Sequence, residues 1–186
     1  MYLKTYNFSM MVLWLLTLGS SIYALLGFES EFFTPLTLVR ITHLVSLLEI
    51  FHCYKKWVKS SLSFTIIQVL ARNLYAWVIF YAYLQNQGDP RFVVALIFVW
   101  SLADSLRSGY YFFGGRLLGF FRYNLFIILY PIGQISEIVM CSLIMKYSPS
   151  PLRWLLAPLV VSYFVFGKGI FQYLYKNRQR YFQNLN

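Results

Sequence analysis

Six apolar runs, each near the ~20 residues a helix needs to cross a hydrocarbon core, fall at about 9–27, 35–54, 62–84, 92–113, 119–145 and 152–175 of this 186-residue chain. Inside lipid a backbone must satisfy its own polar groups, so runs of this length read as helices. The expected fold is therefore all-α: a polytopic membrane protein built as a six-helix transmembrane bundle. Charged residues make up only 12% of the chain, against roughly 25% in soluble domains. The intervening loops, such as "QNQGDPR", "GGR" and "KYSPSP", are short. They leave no room for a soluble domain, and 1–186 reads as one transmembrane unit.

The net charge of +10 would point to nucleic acid in a soluble chain. Here it reads as the cytoplasmic bias of loop Lys and Arg, and nucleic acid is excluded as a partner. Lys4, Lys55, Lys56, Lys59, Arg116, Lys176, Arg178 and Arg180 fall on one side; Glu29, Glu31, Asp89, Arg91, Lys146 and Arg153 fall on the other. Both termini are thus expected in the cytoplasm. The first run has no small-residue cleavage site and reads as a retained helix. Cys53 and Cys141 have neither metal nor disulfide spacing, so they read as small packed residues.

Polar residues within the runs are costly at membrane depth and mark a site by default. They are Arg40, His43, Glu49, His52, Gln68, Arg72, Asp104, Arg107, Arg122, Tyr130, Glu137 and Lys168, and they are expected to converge on one interior. In the fifth run Arg122, Phe126, Tyr130, Gly133 and Glu137 step by four, four, three and four, which is one helical stripe. Tyr130 and Glu137 are two turns apart, roughly 10 Å along the axis. Pro131 is expected to bend the helix beside Tyr130, and Gly133 to leave room for a substrate or a neighbouring helix. Gln68, Arg72 and Tyr75 share one face of the third run, as do Trp100, Asp104, Arg107 and Tyr111 in the fourth. Asp104 and Arg107 are expected to pair within their helix, and Glu49 to take Arg72 or Arg107. His43 and His52 read as hydrogen-bonded histidines, not ligands.

The stretches "LLEIFHCYKKWVKSS", "QVLARNLYAWVI", "WSLADSLRSGYYFF" and "FRYNLFIILYPIGQISE" resemble the (3R)-3-hydroxyacyl-CoA dehydratases of very-long-chain fatty acid elongation, also called the protein tyrosine phosphatase-like family. The Tyr-Pro-x-Gly-x-x-x-Glu block is the most specific. The resemblance implies six helices, residence in the endoplasmic reticulum membrane and cytoplasmic termini. It places the catalytic tyrosine at Tyr130 and the catalytic glutamate at Glu137. It places supporting or substrate-binding residues at Glu49, Gln68, Arg72, Arg122 and Gly133. Relatives often end in a lysine-rich retrieval signal, whereas this chain ends "YKNRQRYFQNLN". Phosphatase chemistry is not expected: Cys53 is followed six residues on by Lys59, and "YKKWV" has no glycine to cradle phosphate.

Dehydration of a 3-hydroxyacyl thioester removes a proton from C2 and hydroxide from C3. Two positioned proton-transfer groups suffice, so neither metal nor organic cofactor is expected. Tyr130 and Glu137 are the expected pair, with the carbon served by each left open. Arg72 or Arg122 would support the phenol or hold the thioester oxygen. The expected partners are a long-chain 3-hydroxyacyl-CoA, membrane lipid, and the elongase and reductases of the same cycle. The alternatives are an inactive scaffold or a small transporter with the same bundle.

Overall fold

The computed structural model describes residues 1–27, 33–147 and 152–183. Glu29 and Glu31, and the side chain of Arg153, lie outside the described residues. Everything regular among the described residues is helical. α1 spans Tyr2–Leu25, α2 Phe33–Ser46, α3 Leu48–Tyr54, α4 Leu62–Leu74, α5 Phe80–Gln85, α6 Pro90–Phe113, α7 Arg116–Tyr147 and α8 Leu152–Gln183. A π turn over Tyr75–Ile79 joins α4 to α5. Five helical stretches are long and apolar enough to cross a membrane. A sixth qualifies if Leu156–Val165 and Gly167–Gln183 of α8, bent by 43°, form one span.

Local chemistry sets the boundaries. Asp89 caps α6 by accepting from the Arg91 amide at 2.8 Å, with Pro90 in the first turn; such a proline only occupies a position whose N–H lacks a partner anyway. α6 stops at Gly114 and Gly115, with φ of +70° and +89°, a conformation that costs glycine little. These two residues alone turn the chain into α7. α1 and α8 run past the apolar segments, starting at Tyr2 and ending at Gln183, because polar flanks can stay helical outside hydrocarbon.

α6 is the centre of the molecule, packed on α1, α2 and α7. α1 buries Met10, Trp14, Thr17, Ser21 and Ala24, spaced four, three, four and three, against a face of α6 carrying Ser101, Ser105, Ser108 and Gly109. Small residues let the two backbones approach where lipid offers no hydrophobic drive. Their hydroxyls bond back to their own helices: Thr17 to the Leu13 carbonyl at 2.8 Å, Ser101 to that of Ile97 at 2.8 Å. Two interruptions are covered the same way. Arg40 Nε donates to the carbonyl of Ala76 in the π turn at 2.9 Å. Asn73 and Ser46 side chains donate to the His43 carbonyl, at 3.0 and 2.7 Å, just before the α2–α3 break.

α7 runs through Pro131 as one helix, and α8 carries a bend of 43°. Gly167 and Gly169 follow directly on the bend, and glycine gives a helix the least resistance there.

Candidate active site

Four charged side chains close the interior between α3, α4 and α6. Arg107 grips Glu49 in bidentate fashion, with Nη2–Oε1 at 2.7 Å and Nη1–Oε2 at 3.0 Å. Arg107 Nε also lies 3.0 Å from Asp104 Oδ1, as an ion pair within the helix. Asp104 pairs across to Arg72 of α4. Of the two cations open to Glu49 from the sequence, Arg107 is the one in contact. Asp104 serves two arginines instead of one. Two positive and two negative groups cancel, which lowers the cost of holding charge at this depth.

A small cavity lies against this tetrad, lined by its four side chains with Gln68, His43, Ser46, Trp14 and Val69. Gln68 reaches it from an exposed position on α4. Trp14 Nε1 and His43 Nε2, both buried, have no hydrogen-bond partner among the described residues. The two histidines have separate surroundings. The His43 ring packs edge-on against Trp14 and Trp100, while His52 Nε2 lies 3.0 Å from the Tyr2 hydroxyl.

Trp100 joins this cluster to the fifth-run stripe. Arg72 sits over its ring at 5.4 Å, a cation–π contact strengthened by desolvation. Its indole N–H donates to Glu137 Oε1 at 3.0 Å. The other carboxylate oxygen accepts from the Tyr163 hydroxyl of α8. Tyr75 donates to the Glu137 backbone carbonyl at 3.2 Å and lies 3.1 Å from Cys141 Sγ. Glu137 is thus held by side chains from three neighbouring elements, and Cys141 packs as the small buried residue expected of it.

Tyr130 faces α8 as well. Its hydroxyl donates to the Gly167 carbonyl at 3.3 Å, and its ring is 6.1 Å from Phe171. Gln134, between the pair on the same face, donates to the Tyr163 carbonyl at 3.0 Å. Tyr130 and Glu137 are not bonded to each other. Both line the seam between α7 and α8, where the Gly167 carbonyl meets Tyr130 and the Tyr163 hydroxyl meets Glu137. The remaining stripe residues diverge. Gly133 turns toward α6, and a Cβ there would sit 3.9 Å from both Trp100 Nε1 and Val99 Cγ1, so the close helix approach is present with space to spare. Arg122 does not meet Tyr130: it donates to the Tyr111 hydroxyl at 2.7 Å and sits over the rings of Tyr110, Tyr111 and Tyr123 at 4.2–4.9 Å. Arg40 goes to the π turn and Lys168 is exposed, so the polar residues do not all converge on the single interior expected.

Tyr163, Gln134 and the Gly167 carbonyl are additions that the sequence reading did not single out. Tyr163, Gly167 and Phe171 step by four along α8, a faint signal in a segment otherwise legible only as apolar.

Residues 43–184 match the family model described as protein tyrosine phosphatase-like protein, PTPLA. The chain is 33% identical over 182 residues to a Schizosaccharomyces pombe protein named "Probable very-long-chain (3R)-3-hydroxyacyl-CoA dehydratase", covering 91% of this chain and 86% of that one. It is 28% identical to the human protein named very-long-chain (3R)-3-hydroxyacyl-CoA dehydratase 2, over 74% of this chain and 57% of that one. It is 30% identical to the Arabidopsis thaliana dehydratase PASTICCINO 2, over 74% and 65% of the two chains. No solved structure matches. The matched region runs from His43 through the tetrad, Trp100 and the Tyr130–Glu137 face to the end of α8, and the chain belongs to the protein tyrosine phosphatase-like family.

Proposed function

We propose that this chain is a very-long-chain (3R)-3-hydroxyacyl-CoA dehydratase, a hydro-lyase that forms trans-2-enoyl-CoA in the fatty acid elongation cycle. The observation that carries the reading is Glu137: a carboxylate at membrane depth, held by donors from α6 and α8, with Tyr130 on the same face of its helix. A carboxylate so placed is expensive, and family members are named for a reaction that needs two proton-transfer groups.

The hydrogen-bond polarity favours one division of labour. Both Glu137 oxygens accept, from Trp100 and Tyr163. That suits an ionised carboxylate, which only accepts, and assigns it the C2 proton. The Tyr130 phenol donates, to the Gly167 carbonyl, and would turn that proton to the departing C3 hydroxyl. Microscopic return of the proton from Glu137 to Tyr130 after water leaves restores the pair. The substrate lies in the α7–α8 seam, and the acyl chain follows its apolar walls. Glu49, Gln68 and Arg72 support the site from behind Trp100, while Gly133 lets α6 carry Trp100 close to α7.

The same reading has six crossings in one domain over 1–186, in the endoplasmic reticulum membrane with both termini cytoplasmic. The elongase and reductases that supply its substrate and consume its product are its functional partners. The test is direct. Purified protein with a long-chain (3R)-3-hydroxyacyl-CoA should yield the trans-2-enoyl product by mass, with no metal or nucleotide added. In deuterated water Tyr130→Phe should still exchange the C2 hydrogen while losing dehydration, and Glu137→Gln should lose both. Loss of exchange in Tyr130→Phe alone would reverse the assignment.

A further inference from the structure

α7 and α8 each hold 32 residues, about 48 Å of helix at 1.5 Å per residue, against a hydrocarbon core of about 30 Å. They run antiparallel, so the start of α7 and the end of α8 project together. That projecting end is packed, not frayed. Tyr181 stacks on Tyr123 with ring centroids 4.4 Å apart and donates to the Arg116 carbonyl at 3.3 Å. Arg178 Nε donates to Asn124 Oδ1 at 3.0 Å. The charge there has one sign. Arg116, Arg122, Lys176, Arg178 and Arg180 gather at this end, no Asp or Glu follows Glu137 in the sequence, and among the described residues none of the five makes an ion pair. Arg122 lies among three tyrosine rings.

We infer that this aromatic and basic platform at the joined ends of α7 and α8 binds the phosphates and adenine of coenzyme A. The inference rests on the dehydratase reading and deepens it. Arginines on aromatic faces grip phosphate while the rings offer a stacking surface to a purine. The position also fits. Arg122 is about 12 Å from Tyr130 and about 22 Å from Glu137 along one helix axis, and coenzyme A carries its phosphates at the far end of an extended arm from its thioester. The arginine that the family resemblance places before the catalytic tyrosine is therefore a nucleotide contact, not a partner of the phenol.

Free coenzyme A, which cannot be dehydrated, is titrated into the full chain in a neutral detergent. The Lys176→Gln, Arg178→Gln, Arg180→Gln triple variant should bind it at least ~10-fold more weakly, and Arg91→Gln, at the opposite end, should bind as the parent does. With a 3-hydroxyacyl-CoA the triple variant should show a raised KM and an unchanged kcat. With the same acyl group on N-acetylcysteamine, which lacks phosphate and adenine, its kcat/KM should equal that of the parent. Equal coenzyme A affinity in parent and triple variant would overturn the inference. So would a triple variant that keeps coenzyme A binding and loses only adhesion to phosphatidylserine vesicles, which would mark a lipid-headgroup surface. Binding of coenzyme A without any turnover would sink the dehydratase reading and leave the platform standing.

Discussion

Tyr163 is the residue that most extends the sequence picture, because its hydroxyl reaches Glu137 from a different helix. Tyr163→Phe keeps the ring and removes that donor. It should lower kcat by about 10-fold with little change in KM or melting temperature. In a Glu137→Gln background the same change should cost almost nothing further, since groups acting as a unit are not additive. A full additional loss in the double variant would make Tyr163 a packing residue. Two glycines, one facing α6 and one in the seam, separate in a similar way. Gly133→Ala meets only ordinary contacts on α6 and should melt within about 1 °C of the parent. Gly167→Ala would push into the side-chain amide of Gln134, break its bond to the Tyr163 carbonyl, and destabilise by about 1 kcal/mol. A comparison of the two melting curves checks both. The stripe on α7 was legible because its members share one helix and a period of 3.6 governs them. Tyr163 was not, because a contact between helices leaves no spacing rule in the chain.

Among the elements, the charged tetrad and the π turn show what is and is not readable. Asp104 with Arg107 at three residues is a local pattern, and the structure has that pair. The stronger contacts, Arg72 to Asp104 and Arg107 to Glu49, join residues 32 and 58 apart, so the sequence supplied only candidates. Asp104→Ala leaves Arg72 and Arg107 short of a partner inside the bundle and should cost about 3–5 kcal/mol, seen as lower yield and an earlier melt. Parental expression and melting of Asp104→Ala would make the tetrad dispensable for folding. The π turn left no mark in "LYAWVI"; the Arg40 donor that meets its Ala76 carbonyl comes from across the bundle. Pro131 was the visible candidate for a bend, and α7 continues through it as one helix; the bend in α8 lies beside glycines that the reading had not weighed.

At the scale of the whole molecule, four chain segments meet at one end. The Tyr2 hydroxyl lies near His52, Phe8 and Phe112 rings are 5.0 Å apart, Phe64 stacks on Tyr173, and Tyr181 reaches Arg116. The start of α1, the 55–61 connection, the Gly114–Gly115 turn and the end of α8 therefore share a face, and the loop cations gather there. Labelling gives the check: cysteine at exposed Val58 should react with an impermeant reagent from the cytoplasmic side, and cysteine at exposed Gln87 only after the membrane is opened. Reaction at Gln87 from the cytoplasm would turn the molecule over, and the nucleotide platform with it.

The pairing within the tetrad also sets a schedule for biogenesis. A ribosome delivers Glu49 and then Arg72 well before Asp104 and Arg107 exist, so α1 to α5 must wait with charges that have only each other. The arrival of α6 supplies both missing partners in a single helix and, in the same step, the long face that α1 packs against. Nascent chains halted near residue 85 should accordingly remain loosely associated and open to quality control, and those halted after residue 113 should resist it. Commitment to the fold then comes with α6, before the glutamate that would do the chemistry has been synthesised.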